Sequence, residues 1–375
     1  MDPRLLSSSA ALRRESAALP GHTRAHNRAL VLQMLYRGTP LSRADIARES
    51  GLTRVTVSDL VGDLLREGLI VERGIRPSNG PGKPAVLLEM ARDNQQIVAI
   101  DLSGHDVFRA VLTNLDGEIS EEVSIPSPGV TGDEAASLVD DLLEWALQLT
   151  TAPVLGVGIG VPGIVDRDQV VRRSISLDWT NRSLAPALST RFGVPVSVAN
   201  DANVAVLAEH SFASGGDDLL LVKIGRGVGG GLLLDGRPVL GSRLTAGEIG
   251  RVLVCPSTGS EAVALESLIT APTLRKQIEK AVIAGETADA ALQRAGQVLG
   301  SALAPLITSL GLTSVVLTGP SEVIGDVLID ATREAVDAST ADDVDHVDIH
   351  VTPLGPDIVL RGAAALVLSE RLGIV

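Results

Sequence analysis

Residues 196–251 read VSVANDANVAVLAEHSFASGGDDLLLVKIGRGVGGGLLLDGRPVLGSRLTAGEIGR, and the order of events in this stretch decides the fold. An apolar strand stops on Asn200 and Asp201, and ANVAVLAEH continues at helical spacing. Ligands of open α/β sheets collect beyond the carboxyl ends of the strands, so Asp201 is expected to face a cleft. Two apolar strands then fold about GRGVGGG, where missing side chains let backbone N–H groups approach a ligand. AGEIG follows and sets a second carboxylate, Glu248, between two glycines. Each feature alone has a plain structural explanation: Asn200 or Asp201 as a helix N-cap, the glycines as a tight hairpin. Their occurrence in this order, within one stretch, points to a ligand site.

Upstream of it, IVAIDLSG, VFRAVLTNLDG and EISEEVSIP read as three antiparallel strands joined by turns at SGHD and NLDG. An amphipathic helix over DEAASLVDDLLEWALQL, the strand VLGVGIGVPG, a helix near SLAPALSTRFG and the strand VPVSVAND complete the order βββαβαβ. Downstream come LLLVKIG, GGLLLDG and a third strand near RPVLG, then helices across 262–310 and the strand SVVLTG. A helix around SEVIGDVLIDATREAV, the strand HVDIHVTP and a last helix IVLRGAAALVLSERL close the chain. The second half repeats the topology of the first without repeating its sequence. Ligands of such a duplicated fold lie between the lobes, and two hinged lobes make a natural switch.

The amino-terminal part is different. Residues 1–22, rich in Ser, Ala and Arg without a firm period, read as a flexible tail. From Thr23 a helix runs to about Gly38; Ser42 caps a second, Gly51 turns the chain, and Thr53 caps a third that reaches about Glu67. On that third helix Val57, Val61 and Leu64 share one face, while Val55, Ser58, Asp59 and Gly62 lie opposite, flanked by Arg54 and Thr56. Small and polar side chains suit a helix entering the major groove, because bulk would hold its backbone off the base edges. LIVERG and AVLLEM, around the loop IRPSNGPGKP, form a wing whose Arg73, Arg76 and Lys83 are expected to meet phosphates or the minor groove. Residues 23–90 therefore read as a winged helix-turn-helix, joined by ARDN to a ligand domain over 95–375.

Bulk properties agree with this division. The 375 residues suit two or three domains, and a 45% hydrophobic content with 2% aromatics implies a core of Val, Leu, Ile and Ala. Residues 1–92 hold 14 Lys/Arg against 9 Asp/Glu, and the remainder 18 against 37, so a net charge of −14 divides into +5 in front and −19 behind. A basic front attracts nucleic acid and an acidic body repels it. One cysteine, Cys255, excludes an intramolecular disulfide. The first twenty residues lack the continuous apolar core of a signal peptide and no apolar run approaches a membrane span, so a cytoplasmic location is expected.

GVGIGVPGIVD, VANDANVAVLAEH, the glycine hairpin, AGEIG and ALES, preceded by a winged helix with GKP in its wing, resemble the ROK family of repressors and sugar kinases over about residues 23–375. The resemblance implies a two-lobed, actin-like, hexokinase-like fold of the ASKHA type, a duplicated RNase H-like α/β unit, with a sugar between the lobes. Lobe one is then about 95–201 with the helix 358–372, and lobe two about 202–355. Members with an amino-terminal helix-turn-helix are mostly transcriptional repressors that respond to sugars or sugar phosphates. In the kinases the Asp of NDAN takes the proton of the sugar hydroxyl, and that position is Asp201; further sugar contacts fall on Asn200, Glu248 and Glu266.

Departures from the family pattern shape the functional expectation. The first phosphate motif reads DLSGHD, with Ser103 replacing a Gly and His105 a Thr; the second reads GRGVGGG, with Arg226 replacing a Thr; TGPSE at 318–322 replaces a glycine-rich turn. In zinc-containing members the residue after GEIG is a His that joins three cysteines, whereas this chain has Arg251 there and only Cys255 nearby, so no metal is expected. Arg251 either offers a guanidinium to an anionic sugar or pairs with Glu248 or Glu266. The expected protein is a sugar- or sugar-phosphate-responsive repressor of carbohydrate genes, without a cofactor, with Asp201 a vestigial base. It would bind an inverted-repeat operator in double-stranded DNA as a homodimer or homotetramer. Two alternatives stand beside it: an ATP-dependent sugar kinase carrying a helix-turn-helix, and a DNA-binding regulator with a dead effector site.

Overall fold

The computed structural model of the protein describes residues 20–75, 85–213, 215–255, 261–339 and 346–374. The chain divides into two compact units: Met1–Ala91 with Leu372–Ile374, and Arg92–Arg371.

The first unit is built from α1 (Pro20–Arg37), β1 (Leu41–Ser42), α2 (Arg43–Ser50), α3 (Arg54–Arg66), β2 (Ile70–Ile75) and β3 (Val86–Met90). Helix α1 begins at Pro20, three residues ahead of the expected Thr23, with proline at the first turn where its missing N–H costs nothing. Ser42 caps α2 in a reciprocal box with Asp45, Gly51 ends it in the left-handed region, and Thr53 accepts from the Thr56 N–H to start α3. Val57, Leu60, Val61 and Leu64 of α3 are buried, each contributing roughly 1.5–3 kcal/mol of apolar burial. Arg24 and Arg28 of α1 pair with Asp63 of α3 and with Glu67, its C-cap, which fixes the first helix across the third. The two expected wing strands pair antiparallel, and β1, which the sequence did not announce, adds to β3 as a third strand. Ile374 is buried, and Gly373, at φ +67°, lies against Ala29 of α1.

The second unit repeats one sheet plan. Strands β4 (Gln96–Asp101), β5 (Val107–Thr113) and β6 (Ile119–Pro126) form a meander, followed by α4 (Gly132–Gln148) and β7 (Val154–Val161). Next come β8 (Ile164–Val165), β9 (Val171–Ser174), β10 (Trp179–Arg182), α5 (Leu184–Phe192), β11 (Val196–Asn200) and α6 (Asp201–Phe212). The first sheet has the order β11-β7-β4-β5-β6. The second half contains β12 (Leu219–Ile224), β13 (Val228–Leu234), β14 (Arg237–Pro238), β15 (Leu253–Val254), β16 (Val263–Ala264), α7 (Glu266–Ile269), α8 (Ala271–Ile283) and α9 (Ala288–Leu310). It ends with β17 (Ser314–Thr318), α10 (Asp326–Asp337), β18 (Asp348–Val351) and α11 (Ile358–Leu372). Its sheet runs β14-β13-β12-β17-β18, so each sheet places its third, second, first, fourth and fifth strands in that order. The two five-stranded sheets therefore repeat one plan, as the two-lobed expectation required.

Two details correct the sequence reading. The small antiparallel sheet β10-β9-β8 occupies 164–182, where no strands were expected. Helix α10 starts at Asp326 instead of about Ser321, because the Val323 and Ile324 N–H groups both turn back to the Pro320 carbonyl and Gly325 is extended.

Separate apolar clusters fill the two lobes, one between the first sheet and α4 and α5, the other between the second sheet and α8, α9 and α10. A third cluster joins α6, α11 and the inner face of the second sheet. Seven of the twelve residues of α6 are buried, spread around the whole helix, as expected of a helix with no solvent face. Gly158 of β7 and Gly362 of α11 permit the tight packing here, because a Cβ on either would overlap a backbone carbonyl, Ala363 O or Val204 O.

Candidate functional site

The carboxyl ends of β4, β7, β11 and β12 open onto one cleft of about 670 Å³, ample for a monosaccharide. Its walls carry Ser103 and His105 from the turn after β4, Asn200 and Asp201 from the β11–α6 junction, Lys223 from β12, and the Gly225–Gly230 hairpin. Glu248, Arg251 and Glu266 line the far side. All five residues expected at the effector site thus share one cavity.

Asn200 is committed to structure. Its Oδ1 accepts the N–H groups of Ala202 (2.9 Å) and Asn203 (3.0 Å), which caps α6, while its Nδ2 donates to Gly163 O (2.8 Å) and Asp201 Oδ1 (3.0 Å). The N-cap explanation is therefore true of Asn200, and the same bonds aim Asp201 into the cleft.

The other oxygen of Asp201 receives a partner that the sequence reading overlooked. Lys223 Nζ lies 2.8 Å from Asp201 Oδ2 and 3.2 Å from Ser103 Oγ, at the end of an otherwise apolar strand. Asp101, at the end of β4, accepts the Ser103 N–H at 2.7 Å. Burial pushes the Asp101 carboxyl above the usual range, against the pull of Lys223 and the Ser103 hydrogen bonds. Burial also works against the Lys223 ammonium, but Asp201 and Asp101 outweigh it and hold that group above its ordinary value. The signal for Lys223 was visible as a charge inside LLLVKIG, beside the glycine run.

Arg251 pairs with Glu248, Nε to Oε2 at 2.9 Å across one turn of 3₁₀ helix, and its side chain also lines the cleft. Glu266 opens α7 with its side chain exposed in the cleft. Gly247, at φ +88°, presses against the Gly230 carbonyl, where a Cβ would overlap it; this brings AGEIG onto the glycine hairpin. Arg226 is exposed at the tip of that hairpin. Among the described residues no group of His, Cys, Asp and Glu could hold a metal ion, and Cys255 is exposed.

In the first unit Arg54, Val55, Ser58 and Asp59 are exposed on α3, Val55 at 71%, and Thr56 is half-buried. Arg54 has no ion pair among the described residues, whereas Arg73 pairs across the strands with Glu89. Arg76 and Lys83 lie outside the described residues.

Residues 97–370 match the profile described as the ROK family. The chain belongs to the ROK family. Residues 23–78 match the MarR family profile. A putative xylose repressor of Caldicellulosiruptor sp. (strain Rt8B.4) is 30% identical over 92% of this chain and 96% of its own length. The DNA-binding transcriptional dual regulator NagC of Escherichia coli (strain K12) is 29% identical over 61% of this chain and 58% of its own. Among solved structures, a ROK family transcriptional regulator described as a homolog of the E. coli MLC protein superposes with a TM-score of 0.82 at 22% identity, covering 94% of this chain and 98% of that one. A ROK family glucokinase from Streptomyces griseus, in complex with glucose and AMPPNP, gives 0.62 at 22% identity over 72% and 98%. ROK repressors and ROK kinases therefore share this fold, and the site must separate them. No described helix is long and apolar enough to cross a membrane.

Proposed function

We propose that this ROK protein is a sugar-responsive transcriptional repressor that has lost phosphoryl transfer. The observation that carries the reading is Lys223: a general base must be free to take a proton, and Asp201 is already bound to an ammonium at 2.8 Å. His105 and Arg226 stand where the family's phosphate motifs carry Thr, and Ser103 where they carry Gly, so side chains crowd the backbone cradle that a γ-phosphoryl group would need. The cleft keeps the carboxylates Asp201, Glu248 and Glu266, which suit vicinal hydroxyls, and α3 presents Arg54, Val55, Ser58 and Asp59 outward for the major groove. The repressor acts as a homodimer or homotetramer on an inverted repeat, because winged-helix dimers match their two-fold axis to palindromic DNA. Full-length protein titrated onto its own promoter DNA, with and without a panel of aldoses and their phosphates, tests the reading. A sugar-dependent change in DNA affinity with no ATP consumption is expected. Sugar-dependent ATP turnover that Asp201→Asn abolishes would establish the kinase reading instead.

A further inference from the structure

The cleft holds a cation of its own. Lys223 Nζ sits among two carboxylates from different elements, Asp201 at the start of α6 and Asp101 at the end of β4, with Ser103 Oγ beside it. An ammonium has three N–H donors, of which Asp201 and Ser103 take two. Lys223 also lines the cavity, so the third is available to a ligand oxygen. Asp201 is held from both sides, by Asn200 on Oδ1 and Lys223 on Oδ2, in one orientation.

We infer that Lys223 is the built-in counter-ion of the effector site, a positioning residue that fixes Asp201 as a hydrogen-bond acceptor for one free hydroxyl of the sugar. The inference rests on the effector reading proposed above. A hydroxyl at the cleft floor donates to Asp201 and accepts from Lys223. The other charged or titratable groups lining the cavity are His105, 3.6 Å from Asp106, Glu248 paired with Arg251, and the exposed Arg173, Arg226 and Glu266.

The test uses full-length protein and calorimetric titration of xylose, glucose and N-acetylglucosamine, beside glucose 6-phosphate and N-acetylglucosamine 6-phosphate, from pH 5 to 8. The parent should bind at least one of these ligands with affinity level across this range. Lys223→Met should lose roughly 10–100-fold, the range for a hydrogen bond to a charged group, and its residual affinity should fall as pH falls. The reason is that the repulsion between Asp101 and Asp201 is then no longer offset by an ammonium, which favours a proton at the cleft floor. Lys223→Arg keeps a cation and should restore the level profile. A ligand-free readout stands apart from the sugar reading: the melting temperature of Lys223→Met should drop relative to the parent as pH rises and its carboxylates ionise, and Lys223→Met/Asp201→Asn should recover part of that drop. Equal affinity and pH profile in Lys223→Met and the parent would overturn the counter-ion role. If no sugar binds the parent while the melting profiles behave as stated, the ion-pair geometry stands and the sugar reading fails.

Discussion

Replacing Asn200 separates what the residue does for the fold from what it does for a ligand. Its Oδ1 caps α6 through two N–H groups, and its Nδ2 bonds to the Gly163 carbonyl. Loss of an Asn N-cap to Ala costs about 1 kcal/mol, and loss of the bond to Gly163 about 1 more, so Asn200→Ala should destabilise the second unit by roughly 2 kcal/mol. At roughly 2–4 °C per kcal/mol for a domain of this size, its melting temperature should fall by about 4–8 °C in the absence of any sugar. Asn200→Ser retains a capping oxygen but cannot reach Gly163, so it should lose only about half as much. Differential scanning calorimetry of the full chain, following the transition of the larger unit, measures both. A ligand-free Asn200→Ala protein that melts within about 2 °C of the parent would refute the structural role and return Asn200 to the list of pure effector contacts.

Three further outcomes follow from the structure and the sequence. Lys83→Ala and Arg54→Ala should weaken binding to all DNA sequences and flatten its salt dependence, whereas changes at Ser58 or Asp59 should alter base preference; an unchanged salt slope for Lys83→Ala in fluorescence anisotropy would count against this. No hexose should be phosphorylated from ATP in a coupled assay, in line with Ser103, His105, Arg226 and the bound state of Asp201. Glu209 is buried, and burial pushes its carboxyl above the ordinary 4.5, against the hydrogen bond donated by Thr352 at 2.7 Å and the nearby His350. The folded state then binds the proton more tightly than the unfolded state, so stability falls as pH rises above 4.5 through the raised value. Glu209→Gln, which keeps an oxygen for Thr352, should flatten that slope in urea denaturation between pH 4.5 and 7, and an identical slope in parent and variant would contradict it.

The long periodic elements were legible because their burial is one-sided or complete. The three-strand meander, β7, β11, β12 and the helices α3 and α4 all follow apolar spacing that a reader can count. The strands β1, β8, β9 and β10 were not legible: two to four residues carry no period, and VRRS and TNR are strands only because neighbours supply the other half of the ladder. Asp201, Glu248 and Glu266 could be placed in one cleft because motif order tracks strand ends. Lys223 was passed over, since a strand buried on both faces gave no reason to ask which carboxylates from β4 and α6 would meet its end. The two roles of Arg251 were left open by sequence, because choosing between a ligand and Glu248 depends on a single turn of backbone.

Helix α6 begins at Asp201 in the cleft and ends at Phe212, whose ring lies against Gly117 in the turn between β5 and β6. Twelve residues make it about 18 Å long. A helix wrapped by side chains on every side cannot bow without opening a void along one flank, and close-packed interiors resist that. Packed on every flank, it works as a strut that holds the cleft carboxylate at a fixed distance from the turn at Gly117, whose carbonyl accepts from Arg361 of α11.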